Sequence, residues 1–183
     1  HLRLFKSFSE EDIHAICKEY GINNYTINED ESIDVDGNID LRRKKILSKL
    51  PLNFRNVTGD FYCDFCPLTS LEGGPKSVGV GFYCYNNQLT SLEGGPKSVG
   101  GNFVCSYNEL TSLEGCPKSV GNDFYCNDNK IVTFEHLPLL IGGKFYCSGN
   151  PIWEIWKLFR DYSKIEFLND CDALREPDEN SEE

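Results

Sequence analysis

Leu68–Gly79 reads LTSLEGGPKSVG, Leu89–Gly100 repeats those letters, and Leu110–Gly121 repeats them again with Cys116 in place of a Gly. A catalytic site is assembled once from dissimilar residues. A phrase restated at constant spacing is what a stacked architecture needs, because each unit presents the same face to the next. Around the phrase, Cys63, Cys84, Cys105, Cys126 and Cys147 recur every 21 residues. The aligned units read FYCDFCPLTSLEGGPKSV, FYCYNNQLTSLEGGPKSV, FVCSYNELTSLEGCPKSV, FYCNDNKIVTFEHLPLLI and FYCSGNPIWEIWKLF. Each opens on an F-x-C alternation, a short strand with Phe and Cys on one face, since successive strand side chains point to opposite sides. Each then turns and returns through a Gly- and Pro-rich loop too broken for a long helix.

This pattern predicts a parallel β-solenoid with 21-residue coils, of α+β repeat class once its ends are added. Leu68, Leu71, Val78 and their counterparts Leu89, Leu92, Val99 and Leu110, Leu113, Val120 are expected inside the coil. The Cys column is expected to be an inward apolar filler, free of disulfides. Cys63 and Cys66 form a CxxC, yet no second CxxC or nearby His completes a tetrahedral metal site, so no metal and no cofactor is expected.

The unit F-x-C-x-x-N-x-L-T-S-L resembles the L-x-L-x-x-N-x-L core of the leucine-rich repeat, of the short-repeat type, over residues 57–150. Asn87, Asn108, Asn129 and Asn150 match its asparagine column. An Asn there bonds main-chain groups in a buried turn. Cys66 departs from the pattern. The wording also resembles repeat proteins predicted in large tailed bacteriophages. That likeness implies the bacterial host cytoplasm as the setting, with a host or defence protein as target.

The ends read differently. FSEEDIHAICKEYGI predicts a helix with Ser9 as N-cap, Asp12 three residues on, a stripe of Ile13, Ile16 and Tyr20, and Gly21 as its stop. Ser32–Arg43 has the look of a calcium loop around Gly37, but places Arg43 where a bidentate Glu belongs. It is read instead as a hairpin turning at Asp36–Gly37–Asn38, leading into a degenerate first unit. From Pro151 onward, Ile152, Ile155, Trp156 and Phe159 predict a capping helix. The segments expected are a helix and lead-in (1–30), a hairpin cap and degenerate repeat (31–57), the solenoid (58–150), a C-terminal capping helix (151–170) and an acidic tail (171–183).

The formal net charge of −11 sits at the ends: residues 33–165 hold fourteen acids and fourteen bases, and residues 166–183 eight acids and one base. The basic run Arg42–Lys45 is read as a solvated face, and nucleic acid is not an expected partner. No apolar run approaches the roughly 20 residues of a spanning helix, so no membrane class is expected; the regular inward column of cysteines and their odd total fit reduced thiols, and a cytoplasmic protein is expected. No Ser/His/Asp, metal or phosphate-cradling motif points to catalysis, and no catalytic residue is assigned.

Function is therefore sought on the outward strand face, expected to be concave. Between the inward Phe and Cys stand Tyr62, Tyr83, Val104, Tyr125 and Tyr146, with Asp64, Tyr85, Ser106, Asn127 and Ser148 next to them and Phe65 and Tyr107 near the strand ends. Tyr62, Tyr83, Tyr85, Tyr107, Tyr125 and Tyr146 are the expected partner-binding residues, since Tyr offers a large rigid surface with a polar tip. Cross-strand stacking that serves only the sheet is the competing role. An acidic mimic or inhibitor acting through the terminal segments, or a structural virion component, is the alternative function.

Overall fold

The computed structural model describes residues 8–44 and 47–154. Each turn of the chain contributes two short strands, and these stack in parallel into two separate sheets. The first sheet runs β1 (Tyr25–Ile27), β2 (Ile33–Val35), β4 (Phe54–Val57), β6 (Ser77–Val78), β8 (Ser98–Val99), β10 (Ser119–Val120) and β12 (Leu140–Ile141). The second runs from β3 (Ile39–Asp40) through β5 (Phe61–Tyr62), β7 (Phe82–Tyr83), β9 (Phe103–Val104) and β11 (Phe124–Tyr125) to β13 (Phe145–Tyr146). Phe61 pairs with Phe82 and Phe82 with Phe103, so the register advances by one 21-residue unit per coil. The structure is thus a parallel β-solenoid. The KSV segment, expected in the return loop, instead builds the first sheet; three residues of corner then lead from Val78 to Phe82.

The repeated letters have separate duties. Phe61, Phe82, Phe103 and Phe124 are fully buried, with ring centroids 5.1–5.5 Å apart along the stack. Cys63, Cys84, Cys105 and Cys126 follow them inward, and the Leu and Val positions close the remaining sides. Each fully buried Phe or Leu contributes roughly 1.5–3 kcal/mol, so every coil carries its own share of core. All eight described cysteines are free thiols. The corner glycine after Val is a matter of space: a Cβ on Gly100 would stand 2.1 Å from the Gly79 carbonyl oxygen. No larger residue fits between stacked backbones at that approach.

The Asn column ties coil to coil. Asn108 Nδ2 donates to the carbonyls of Cys84 and Cys105, both at 3.0 Å, and its Oδ1 accepts from the Leu89 N–H at 3.0 Å. Asn87, Asn129 and Asn150 repeat the arrangement. Cys66 takes the same place with its thiol on the Leu41 carbonyl at 3.2 Å. It has no Leu N–H to receive, because Leu47 N–H bonds Lys44 O at 2.9 Å.

At the N-terminal end, α1 (Glu10–Tyr20) starts on Ser9, whose hydroxyl accepts from Asp12 N–H while the Asp12 carboxylate accepts from Ser9 N–H. It stops at Gly21, φ 69°. Ile13 and Cys17 enter the core, with Ile16 and Tyr20 packed partly against it. The expected hairpin is displaced. Asp36–Asn38 joins β2 to β3, which lie in different sheets, and each pairs in parallel with the next coil. That bend is the first solenoid corner, and Ile33, Val35, Ile39 and Leu41 are buried as its core. The antiparallel hairpin is β1–β2, with Tyr25 opposite Val35, and it covers the end of the first sheet. Edge coverage of this kind prevents open-ended pairing.

A helical turn begins at Pro151, with Trp153 buried and Ile152 packed against the core. Ile155, Trp156 and Phe159 of the expected stripe, and the acidic tail, lie outside the described residues. Among the described residues, no helix is long and apolar enough to cross a membrane.

Candidate functional site

The outer face of the second sheet gathers most of the singled-out tyrosines. Tyr62 and Tyr83 stack with centroids 4.8 Å apart and planes 12° apart; Tyr125 and Tyr146 stack at 4.5 Å and 3°. Parallel in-register pairing forces this, because equivalent positions lie directly above one another. Val104 stands between the two pairs and interrupts the ladder. All five side chains are half-buried.

Two shallow depressions run along this face. One of about 460 Å³ is lined by Arg42, Tyr62, Asp64, Tyr83, Tyr85, Asn102, Val104 and Tyr125. The other, about 380 Å³, adds Ser106, Tyr107, Asn127, Asp128 and Ser148 around Val104 and Tyr125. Five of the six expected residues thus line one depression or the other, while Tyr146 backs Tyr125 from behind.

Sequence reasoning left out Arg42. Read as part of a solvated basic run, its guanidinium lies 4.5 Å over the Tyr62 ring and is clamped by both carboxylate oxygens of Asp40. Arg43 lies 5.8 Å from the Phe65 ring centroid and Lys44 the same distance from that of Tyr20, so these cations are seated on aromatic rings. No local signal in the sequence marks this: Asp40 pairs with Tyr62 and so opens the tyrosine column one coil early. Only the register shows it.

Asp64 alternates outward in the sequence, yet it is 2% exposed. Its Oδ1 has no hydrogen-bond partner. Burial pushes its pKa above the ordinary carboxylate value, against the pull of the Arg42 charge. Tyr125 donates its hydroxyl to Asp123 Oδ2 at 2.9 Å, and burial together with that carboxylate pushes its pKa up to about 12. Tyr83 is raised by burial and by the charge of Asp60. Acids outnumber bases on the face: Asp40, Asp60, Asp64, Asp123 and Asp128 stand along it with Arg42 and Lys144.

Phe65 and Tyr107 hold the same corner position as Asn86, Asp128 and Gly149, all at positive φ. At φ 54° and 56° they adopt a left-handed backbone that Asn, Asp and Gly accept readily and bulky residues do not. Their side chains are 44% and 55% exposed. Among the described residues no group of three or more His, Cys, Asp or Glu side chains is arranged to hold a metal ion.

Comparison of the chain with protein-family models, with curated proteins and with solved structures gave no match.

Proposed function

We propose that this chain is a non-catalytic protein-binding module of the leucine-rich-repeat type, engaging its partner through the tyrosine-rich outer face of the second sheet. One observation carries the reading. Phe65 and Tyr107 keep large aromatic side chains exposed at corners whose backbone favours Asn, Asp or Gly. Strain retained beside a grooved aromatic face supports selection for contact rather than for stability. The stacked tyrosines stabilise the sheet as well, and the two roles coexist. The repeat wording resembles that of repeat proteins predicted in large tailed bacteriophages, and on that resemblance the proposed target is a host or defence protein in the infected bacterial cytoplasm.

The test is a pull-down from host lysate with the full chain and with a Tyr83→Glu, Tyr125→Glu variant shown by circular dichroism to be folded. A partner held by the first and lost by the second supports the reading. The same partner on both overturns it and moves attention to the terminal segments.

A further inference from the structure

The ladder is broken at one rung. Tyr83 and Tyr125 flank Val104 from the coils on either side, so their rings stand about 9.6 Å apart, twice the ~4.8 Å strand spacing. Stacked rungs elsewhere in the ladder lie 4.8 and 4.5 Å apart. The gap therefore takes one planar group at the ladder's own spacing, with the Val104 side chain as floor.

Three observations fix the chemistry of that group. The ladder already holds a guanidinium: Arg42 lies over its Tyr62 end, its Cζ 4.5 Å from the ring centroid. The wall supplies carboxylate: Asp123, beside Tyr125, whose Oδ2 accepts from the Tyr125 hydroxyl at 2.9 Å and whose Oδ1 accepts from the Lys144 N–H at 2.7 Å. Asn102 lines the same hollow. An aromatic ring would cover this carboxylate without pairing it, which is costly. A nucleobase would bring phosphates against Asp60, Asp64 and Asp123. A lysine ammonium is a compact point charge that does not fill a planar gap.

We propose that the break at Val104 is the seat of an arginine side chain of the protein partner, its guanidinium sandwiched between Tyr83 and Tyr125 and paired with the Asp123 carboxylate. This rests on the proposed binding role of the face and names what the face selects. The occupied seat completes the ladder, so that a guanidinium lies both at its Tyr62 end and in its middle.

The test uses the full chain, ¹³C-labelled, with NMR of the Val104 methyls and the Tyr83 and Tyr125 rings during addition of acetyl-Gly-Arg-Gly-amide. Lysine and tryptophan versions of the peptide run in parallel. Expected are saturating shifts at all three residues, with the arginine peptide binding about fivefold more tightly than the lysine peptide. Val104→Tyr restores the missing rung with the residue found at four of the five equivalent positions, so it folds, and it removes the arginine response. Equal response to lysine, preference for tryptophan, no shift at Val104, or an unchanged response in Val104→Tyr each overturns the proposal. In the lysate pull-down, partner retained by Val104→Tyr but lost by Tyr83→Glu, Tyr125→Glu rejects the seat and leaves the face standing. Retention by both rejects the face itself.

Discussion

Replacing Asn108 with Ala isolates what the asparagine column does. The side chain is 7% exposed and makes four main-chain bonds: donation to Cys84 O and Cys105 O at 3.0 Å and to Ser106 O at 3.3 Å, and acceptance from Leu89 N–H at 3.0 Å. The three carbonyls each keep another donor, namely Asn87 Nδ2, Asn129 Nδ2 and Asn86 N–H. Their loss is modest. Leu89 N–H, on a fully buried residue, is left with no partner, and an orphaned buried donor costs about 1–3 kcal/mol. With the weakened carbonyl bonds the total is about 3 kcal/mol. Asn108→Cys separates the terms, since a thiol donates to the carbonyls but is a poor acceptor for the Leu89 N–H. The protein tolerates Cys66 because Leu47 N–H is satisfied locally by Lys44 O. Asn108→Cys has no such relief and is expected to cost about 2 kcal/mol. Urea unfolding of wild type and both variants, followed by circular dichroism, gives the differences directly. A loss below about 1 kcal/mol for Asn108→Ala, or a wild-type midpoint for Asn108→Cys, would refute the assignment of column stability to the orphaned N–H.

Alkali should unfold the solenoid. Burial pushes the thiols of Cys63, Cys84, Cys105 and Cys126 above the ordinary value of 9.0. An unfolded chain ionises them first, so the stability they confer is intact below pH 9 and falls as pH rises through their folded values, by up to about 1.4 kcal/mol per pH unit per thiol. Loss of the circular dichroism signal should begin above pH 9, and undiminished urea resistance at about pH 11 would contradict it. Gly100→Ala forces a Cβ against the Gly79 carbonyl and should cost about 3 kcal/mol in the same urea assay; a neutral effect would show that the corner can widen. Tyr107→Asn relieves a left-handed backbone and should raise stability by about 1 kcal/mol while weakening partner capture. A stabilised variant that captures as well as wild type removes Tyr107 from the face.

The amino-acid sequence by itself determined the solenoid, its period and its inside. Those depend on spacing: Phe, Cys, Leu and Val recur at fixed offsets, and any stacking that keeps them in register buries them together. The capping box at Ser9 and the stop at Gly21 were equally legible, because caps are local. Tertiary structure alone decided the rest. Asp36–Gly37–Asn38 has hairpin letters, and only pairing with the following coil shows that β2 and β3 belong to different sheets. Arg42 looks like surface charge until register lays Asp40 beside Tyr62 and brings the guanidinium over the ring. Asp64 alternates outward, yet contacts from neighbouring coils bury it. Periodicity specifies which side of the chain a residue faces; which residues of other coils meet it there depends on stacking, and the candidate site is made of those meetings.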